Sequence, residues 1–461
     1  MKIERLTTEF LFGIEGLDDT YPGALSPGTL LAVAGHPGSG KTTFAGQLCY
    51  NNALRGHPCL YVTSQEQEEK FYRHMGRLGF RFDELSRKGL FRFVRLPVIS
   101  AEEGTELLSD LLANELSRFR ARIIVIDSIT PLVKALGSDI RSRSLLQNFL
   151  YNLAFDIKGV VVAIAEIPLL KETIELGDIE FVADGVIFLK HSIEKGLLIR
   201  KMEIRKLRGA PVSVAEAPFI IESPGGIRVF MPPRVEYMDK AKTGRHLRMC
   251  CSLLEDAIGA IEPGSIMLAA FPVTLDISKT IFKMVLNMSL VNNAKTLMIS
   301  YRYHRAELDD VSRETIGRFN SSHKDRLYDM IKLLPINPAA HSLEGLIAME
   351  LSSIAREKPD IVLMHGIEIL RGIHGEAKAY EALARNEILM LKRWGVTTVR
   401  VLGYLELSNI EDEFYYADIT LFAPPPDKTK TQEPELLVWR RGEEPARIQL
   451  KRLAECIIRC A

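Results

Sequence analysis

The stretch LLAVAGHPGSGKTTFAGQLC, residues 30–49, decides the fold of this chain. Residues 30–34 are apolar and predict a buried strand. The residues that follow, GHPGSGKT at 35–42, match the pattern G-x-x-x-x-G-K-[ST]. A helix is predicted to begin at Lys41 and to end near Gly56, because glycine favours a helix C-terminus. Strand, glycine-rich loop and helix in this order are the context that a phosphate-binding loop requires.

This loop has the chemistry of a nucleotide site. Its glycines allow successive backbone N–H groups to approach phosphate oxygens, and the helix N-terminus adds partial positive charge. Lys41 is expected to reach the β- and γ-phosphates of ATP, and the Thr42 hydroxyl is expected to ligate Mg²⁺. The predicted nucleotide-binding residues are Gly35, His36, Pro37, Gly38, Ser39, Gly40, Lys41, Thr42 and Thr43.

Two acidic residues complete the expected chemistry. Asp127 follows the apolar run at 122–126, and an aspartate just past a buried strand is the expected second Mg²⁺ ligand beside such a loop. A strand-end turn is its alternative role. Glu66 follows a short strand predicted at 60–63 and is the candidate catalytic base, which would orient a water for attack on the γ-phosphate. A solvated helix start is the alternative for Glu66.

Composition restricts the class of protein. The chain has 461 residues, 47% hydrophobic and 26% charged, which is ordinary for a globular protein of two or three domains. Its 59 Lys+Arg balance 59 Asp+Glu, so a strongly cationic nucleic-acid binder is not expected. The sequence has no apolar run of membrane-spanning length and no secretory signal, which predicts a soluble cytoplasmic protein. The 6 cysteines form no CxxC pair and are expected to be free thiols in a reducing compartment.

The chain also repeats itself. Four segments of the first half resemble segments of the second half in the same order: SPGTLLAVAG at 26–35 and EPGSIMLAAF at 262–271, PCLYVTS at 58–64 and KTLMISY at 295–301, IIVIDS at 123–128 and IVLMHG at 361–366, VADGVIFL at 182–189 and YADITLFA at 416–423. Strand patterns alternate with helix patterns in both halves. The predicted fold is therefore α/β, with two tandem domains at 1–235 and 236–461, each a mainly parallel twisted sheet flanked by helices.

Residues 1–235 resemble a KaiC-type domain of the RecA superfamily. The resemblance rests on GIEGLD at 13–18, PG at 27–28, GHPGSGKTT at 35–43, YVTSQE at 61–66, IIVIDS at 123–128, VADGVIFL at 182–189 and KLRG at 206–209. It implies an ATPase whose sites lie between the subunits of a homo-oligomeric ring, usually a hexamer. It also implies that Lys206 and Arg208 act in trans on the neighbour's γ-phosphate, where an arginine stabilises developing charge. An exposed basic strand is the alternative.

One position departs from the family pattern. Two adjacent acids usually follow the second strand, whereas this chain has Gln65 and Glu66. If the base belongs at the first position, hydrolysis is expected to be slow or absent. Glu166, after a strand predicted at 159–165, is either a sensor of the γ-phosphate or an ordinary strand-end acid.

The second half has lost the phosphate-binding loop. The corresponding stretch is PVTLDISKT at 272–280, and no glycine occurs between Gly264 and Gly317. Side chains are expected to fill the phosphate cradle, and Asp276 is expected to repel phosphates. Support of the ring, or binding of an unknown protein partner, is the expected role. In the second half, His365 stands in place of Asp127, and a position near Tyr303 stands in place of Glu66. Trp439 and Arg441 stand in place of Lys206 and Arg208.

Three other functions fit parts of the sequence. A DNA-handling recombinase or helicase shares the fold, but the segment at 171–178 is acidic, whereas a DNA-binding loop needs basic or aromatic residues. Gln65 favours a nucleotide-binding scaffold that barely hydrolyses. The third function is autophosphorylation, because Ser142 and Ser144 lie in the region where clock-type relatives carry phosphorylation sites. The ordinary interpretation of both serines is a hydroxyl at the start of a helix.

Overall fold

The computed structural model describes residues 9–96, 104–135, 140–167, 182–194, 197–232, 244–317, 321–374, 377–425 and 433–459. The chain divides into two units, Met1–Met231 and Pro232–Ala461. Among these described residues, no helix has the length and apolar character that crossing a membrane requires.

Strands and helices alternate through the first unit. Its strands are β1 (Thr29–Gly35), β2 (Cys59–Thr63), β3 (Phe91–Arg95), β4 (Ile123–Asp127), β5 (Val160–Glu166), β6 (Gly185–Glu194), β7 (Leu197–Leu207), β8 (Glu216–Glu222) and β9 (Gly226–Val229). Its helices are α1 (Leu17–Thr20), α2 (Lys41–Leu54), α3 (Glu68–Arg77), α4 (Phe82–Arg87), α5 (Gly104–Arg118), α6 (Thr130–Ala135) and α7 (Ile140–Asp156).

The strands of the first unit form one sheet in the order β3-β2-β4-β5-β1-β6-β7-β8-β9. The strands from β3 to β6 in this order pair in parallel, and β7, β8 and β9 continue the sheet in antiparallel pairs. Every residue of β1 is buried, as an apolar strand covered on both faces requires. The carboxyl ends of β1, β4 and β5 meet at one edge, where sheets of this kind bind ligands.

Side chains on both faces of this sheet form the core. On one face, Phe44 and Leu48 of α2 pack with Tyr61 and Phe71. On the other face, Leu112 and Leu150 belong to a second buried cluster. Helix α2 is therefore fixed against the sheet along its length, and this holds the loop before it in place.

The second unit has the same architecture. Its strands are β10 (Ile266–Pro272), β11 (Thr296–Ser300), β12 (Ile331–Pro335), β13 (Ile361–His365), β14 (Thr397–Tyr404), β15 (Ile419–Phe422), β16 (Glu435–Arg440) and β17 (Ala446–Gln449), in the sheet order β12-β11-β13-β14-β10-β15-β16-β17. Its helices are α8 (Ser252–Ile258), α9 (Ser278–Asn292), α10 (Arg305–Ile316), α11 (Ser321–Met330), α12 (Leu343–Glu357), α13 (Ile367–His374), α14 (Ala377–Trp394), α15 (Glu411–Tyr416) and α16 (Leu450–Arg459).

An aspartate makes the same backbone contacts in both units. The Asp184 N–H donates to the Leu30 carbonyl (2.9 Å), and its carboxylate accepts from the Leu30 N–H (3.0 Å). Asp418 makes the same pair of bonds with Ile266, at 2.8 and 2.9 Å. The predicted α/β fold class, with two mainly parallel sheets flanked by helices, is confirmed.

The expectation that all cysteines are free thiols is wrong. Cys251, just before α8, is disulfide-bonded to Cys456 of α16, with Cα atoms 5.4 Å apart. Cys250 is also disulfide-bonded, whereas Cys49 and Cys59 are free and buried. The residues at 450–457, which fit either a helix or a strand, form α16. Its buried residues Leu453 and Ile457 bring Cys456 to the start of α8.

Candidate nucleotide-binding site

The phosphate-binding loop connects β1 to α2. Gly38 and Gly40 have φ of 78° and 101°, a region that strains any residue with a side chain. A Cβ on Gly35 would collide with the carbonyl oxygen of Leu189. Helix α2 begins at Lys41, so its unpaired backbone N–H groups lie at the loop. The loop therefore offers the donors that a phosphate group requires.

The Lys41 side chain lies folded against this loop. Its Nζ donates to the carbonyl oxygens of Gly35 and His36, both at 2.9 Å. Burial lowers the pKa of Lys41, while the charges of Glu166 and Asp127 oppose that shift. A buried ammonium that donates to two neutral carbonyl oxygens gains from a stronger anionic partner. The phosphates of a bound nucleotide would provide one.

Asp127 ends β4 directly opposite the start of α2. Its Oδ2 accepts hydrogen bonds from Thr42 Oγ1 (2.8 Å) and from Tyr61 Oη (2.6 Å). Burial raises the pKa of Asp127, and the bonds from Tyr61 and Thr42 oppose the rise. The structure thus brings together the two oxygens, Thr42 Oγ1 and Asp127 Oδ2, that were predicted to ligate Mg²⁺. Hard oxygen ligands of this kind suit Mg²⁺.

Glu66 follows a turn at the end of β2. Thr63 Oγ1 accepts from the backbone N–H groups of Gln65 (3.2 Å) and Glu66 (3.4 Å), which turns the chain before α3 begins. Glu66 Oε1 lies 3.2 Å from His74 Nδ1, and the Glu66 side chain is 18% exposed. The carboxylate is therefore held at the rim of the site and not turned into solvent.

A cavity of about 500 Å³ joins these groups. It is lined by Pro37, Gly38, Gly40, Lys41, Thr42, Thr43, Thr63, Gln65, Glu66, Lys70, Asp127, Glu166 and Ile221. Most of the predicted loop residues line this cavity, together with all three acids. Sequence reasoning missed Lys70, Ile221 and Tyr61. Ile221 belongs to β8, far along the chain, and no local pattern indicates it.

A second cavity of about 490 Å³ adjoins the first. The two share Thr42, Thr43, Glu66 and Ile221, and the second is completed by His74, Met75, Arg77, Leu78 and Ser223. Met75 and Leu78, together with the shared Ile221, make this second cavity more apolar than the first. Together the two cavities have a polar end for phosphates and a more apolar end.

Lys206 and Arg208 do not line either cavity. The Arg208 N–H donates to the Asp184 carbonyl (2.8 Å), and Arg208 Nη1 lies 3.1 Å from Asp184 Oδ1. Asp184 is in turn bonded to Leu30, at the opposite end of β1 from the loop. Five residue steps along β1 lead from Leu30 to Gly35, a rise of about 17 Å. Arg208 is therefore remote from the loop of its own unit.

Comparison with known proteins agrees with this geometry. A family model described as "ATPase: KaiC" matches residues 11–234. The chain is 26% identical over 384 residues to the circadian clock oscillator protein KaiC of Thermostichus vulcanus, covering 79% of this chain and 71% of the relative. It is 27% identical over 383 residues to the circadian clock oscillator protein KaiC 1 of Synechocystis sp., with the same coverage.

Residues 11–234, nearly all of the first unit, match the KaiC ATPase family, and the chain as a whole is similar to KaiC proteins. The match extends beyond the first unit, because 384 aligned residues exceed the length of either half. The resemblance inferred from the motifs at 13–209 is confirmed.

The second unit of this KaiC-like chain keeps the positions of the site but changes their chemistry. Ser300 Oγ accepts from the N–H groups of Arg302 (3.4 Å) and Tyr303 (3.0 Å), as Thr63 does in the first unit. Ser278 Oγ lies 3.2 Å from His365 Nε2, in place of the Thr42–Asp127 bond. The hydroxyl therefore remains, while the carboxylate has become an imidazole.

Side chains occupy the loop of the second unit. Asp276 Oδ1 accepts from the Ser278 N–H (2.9 Å), at the start of α9 where the first unit offers donors to a phosphate. The neighbouring Ile277 is buried in the core. Lys279 lies against Glu314, with Nζ 2.8 Å from Oε2. None of the described residues at 273–277 has positive φ.

His365 is buried between two serines. Its Nδ1 lies 3.2 Å from Ser300 Oγ, and the rings of Phe282 and Tyr303 pack against it at 5.1 and 4.8 Å. Burial lowers the pKa of His365 to about 4, with the Arg302 charge acting in the same direction. The imidazole is neutral at pH 7 and provides no anionic ligand for a cation.

Two sequence predictions concern residues or side chains that the structure does not describe. The acidic segment at 171–178 is one of them. Ser142 and Ser144 belong to α7, but their side chains are also not described.

Proposed function

We propose that this KaiC-like ATP-binding protein is a slow Mg²⁺-dependent ATPase, acting as an ATP-driven switch, with one active site per chain. The observation that carries the proposal is the Thr42–Asp127 pair at 2.8 Å beneath the glycine loop. Both side chains line the same cavity as Lys41 and Glu66. That set supplies a phosphate cradle, a metal site and a base.

Thr42 and Asp127 would hold the Mg²⁺ ion of a bound nucleotide. Their oxygens lie 2.8 Å apart, and both are hard ligands of the kind that Mg²⁺ prefers. Mg²⁺ neutralises charge on the β- and γ-phosphates when bound. Tyr61 keeps the Asp127 carboxylate oriented through its 2.6 Å bond. Lys41 would leave the loop carbonyls for the phosphates.

Glu66 is the group that we assign to water activation. Its carboxylate lies at the rim of the phosphate cavity, on the turn after β2. Gln65, which replaces the first of two family acids, cannot accept a proton. Glu66, at the second of these two positions, is then the acid left to act as the base, and this supports slow turnover. Glu166 lines the same cavity and is a candidate sensor of the γ-phosphate.

A neighbouring subunit would complete the site. A transferring phosphoryl group needs a cation near the γ-phosphate, and Arg208 lies remote from the loop of its own unit. We therefore propose a homo-oligomeric ring, most simply a homohexamer, in which Lys206 and Arg208 reach the neighbour's nucleotide. The half-exposed Arg208 side chain, already oriented by Asp184, would suit this role.

The second unit, in this proposal, binds no nucleotide. Asp276 occupies the helix N-terminus with its own carboxylate, and Ile277 stands where a phosphate-binding lysine is needed. An anion would meet like charge and a filled cradle. The second unit would then support the ring or bind a protein partner.

Phosphate release by the purified chain tests the proposal. Glu66→Gln keeps the shape of the side chain but removes the base, so turnover should fall by ~10²–10⁴-fold while Mg-ATP affinity is kept. If turnover survives with binding unchanged, Glu66 is not the base, and Glu68 or Glu166 should be tested instead.

A nucleotide-binding scaffold is the second candidate function. Gln65 favours it, because the family position for a first acid is neutral here. Binding of Mg-ATP without phosphate release by the unmodified chain would select this function over hydrolysis.

A further inference from the structure

Among the described residues, the ion-pair partner within reach of the Glu66 carboxylate is a histidine of α3. His74 Nδ1 lies 3.2 Å from Glu66 Oε1. Glu66 lines both cavities, whereas His74 lines the second, beside Met75 and Leu78. The imidazole therefore stands between the candidate base and the space next to the phosphate site.

We propose that His74 is a positioning residue for the Glu66 carboxylate. This inference rests on the proposed function of Glu66 as the group that orients the attacking water. His74 holds one carboxylate oxygen, Oε1, and leaves Oε2 for the water. It does not touch the reacting atoms, and its effect passes through Glu66.

A flexible glutamate needs a neighbouring side chain to fix its carboxylate. Glu66 lies on a turn, and a glutamate side chain loses considerable rotamer freedom when it is fixed. A base that is misplaced by about 1 Å can cost ~10²-fold in rate. A contact with one oxygen removes most of this freedom without removing the second oxygen from the reaction.

Helix α3 is a rigid support for His74. Phe71 and Met75 of the same helix are buried in the core of the first unit. Phe71 packs against Tyr61, with ring centroids 4.7 Å apart, and Tyr61 donates to Asp127. The helix that carries His74 is thus packed on the strand that carries the metal-site tyrosine.

A bound nucleotide would shield the contact from solvent. The His74 side chain is 47% exposed and the Glu66 side chain 18%. The part of a nucleotide that extends into the second cavity would cover the imidazole and displace water. His74 contacts the carboxylate of Glu66 and is not among the residues that line the phosphate cavity. The positioning effect is therefore expected in turnover more than in affinity.

Two variants of His74 test the proposal. His74→Leu removes the donor, whereas His74→Asn places an amide nitrogen near the former Nδ1. His74→Leu should lower kcat by ~10–100-fold, since it leaves Glu66 mobile. The Kd for a non-hydrolysable Mg-ATP analogue should stay within about threefold, and His74→Asn should restore most of the lost kcat. The matched control is His246→Leu, in the second unit, where an exposed histidine lies 3.7 Å from Glu262; it should leave kcat unchanged.

The outcomes separate this inference from the proposed function. If His74→Leu keeps its kcat while Glu66→Gln loses turnover, His74 does not position Glu66, and Glu66 remains the base. Retained turnover in Glu66→Gln overturns both. Equal losses in His74→Leu and His74→Asn, or a loss of analogue binding that matches the loss of kcat, also contradict positioning. Thermal unfolding of each variant checks that the fold is intact.

Discussion

Thr42 and Ser278 place a hydroxyl at equivalent positions of the two units, but the side chain that each hydroxyl contacts is different. Each lies at the start of a helix and faces the end of a neighbouring strand, at 2.8 Å from Asp127 and 3.2 Å from His365. In the first unit the partner is an acid that can bind a cation. In the second unit the partner is a buried imidazole. The fold keeps the contact, but the carboxylate oxygen that Mg²⁺ prefers is replaced by an imidazole.

The buried His365 makes the stability of the second unit depend on pH. Its pKa in the folded state is about 4, whereas an unfolded histidine titrates near 6.5. Between these values the unfolded chain binds a proton that the folded chain does not. The contribution to stability is therefore present above about pH 6.5 and decreases as the pH falls towards 4.

We predict that His365→Asn flattens this dependence. Between pH 7 and pH 4.5 the unmodified second unit should lose about 2–3 kcal/mol more unfolding free energy than the variant. Urea unfolding of the full chain at the two pH values measures the difference. Parallel losses in both proteins would show that His365 does not control the dependence.

The sequence predicts some residues of the site and not others. Thr42 and Asp127 could be predicted because each stands at a fixed place beside a strand, in a pattern with a known physical use. Tyr61 could not, because an aromatic residue in a buried strand is ordinarily core. Ile221 reaches the cavity from β8, and its role depends on a sheet order that local patterns do not contain.

At the scale of elements, α16 is where prediction from sequence was least secure. Its apolar residues fitted a helix or a strand, and only packing on the second unit selects the helix. The disulfide between Cys251 and Cys456 spans 205 residues. Pairing over such a separation follows from tertiary structure, so cysteine spacing alone could not indicate it.

Reduction of this disulfide should destabilise the second unit. The bond closes a long loop in the unfolded chain, and such bonds typically contribute about 2–5 kcal/mol. We predict a lower unfolding temperature for Cys456→Ser than for the unmodified chain under non-reducing conditions. Alkylation of the denatured, unreduced protein should modify Cys49 and Cys59 but not Cys251 or Cys456. Alkylation of all four would show that the chain holds no such bond.

For the whole molecule, the tandem arrangement was predictable because the repeat preserves order and spacing. Asp184 and Asp418 stand at equivalent positions and make the same backbone contacts in both sheets. The ring could not be predicted from the residues alone, because the motif at 206–209 indicates a subunit edge only through family resemblance. The separation of Arg208 from its own loop is the structural argument for a neighbour.

Mixing two inactive variants tests the ring. Arg208→Ala chains keep an intact loop, and Lys41→Ala chains keep an intact arginine. In mixed rings an intact loop can meet an intact arginine, so an equal mixture should regain about a quarter of normal activity. Each variant alone should stay inactive. No recovery on mixing, together with a monomeric mass by light scattering in the presence of ATP, would exclude the ring.

The number of nucleotides bound per chain is the most direct test of the central claim, that the first unit alone holds a working site. Titration calorimetry with a non-hydrolysable Mg-ATP analogue measures it on the full chain. We predict one site per chain, lost in Lys41→Ala because the phosphate charge is then uncompensated. Two sites per chain, or one site that survives Lys41→Ala, would contradict the claim and assign nucleotide binding to the second unit.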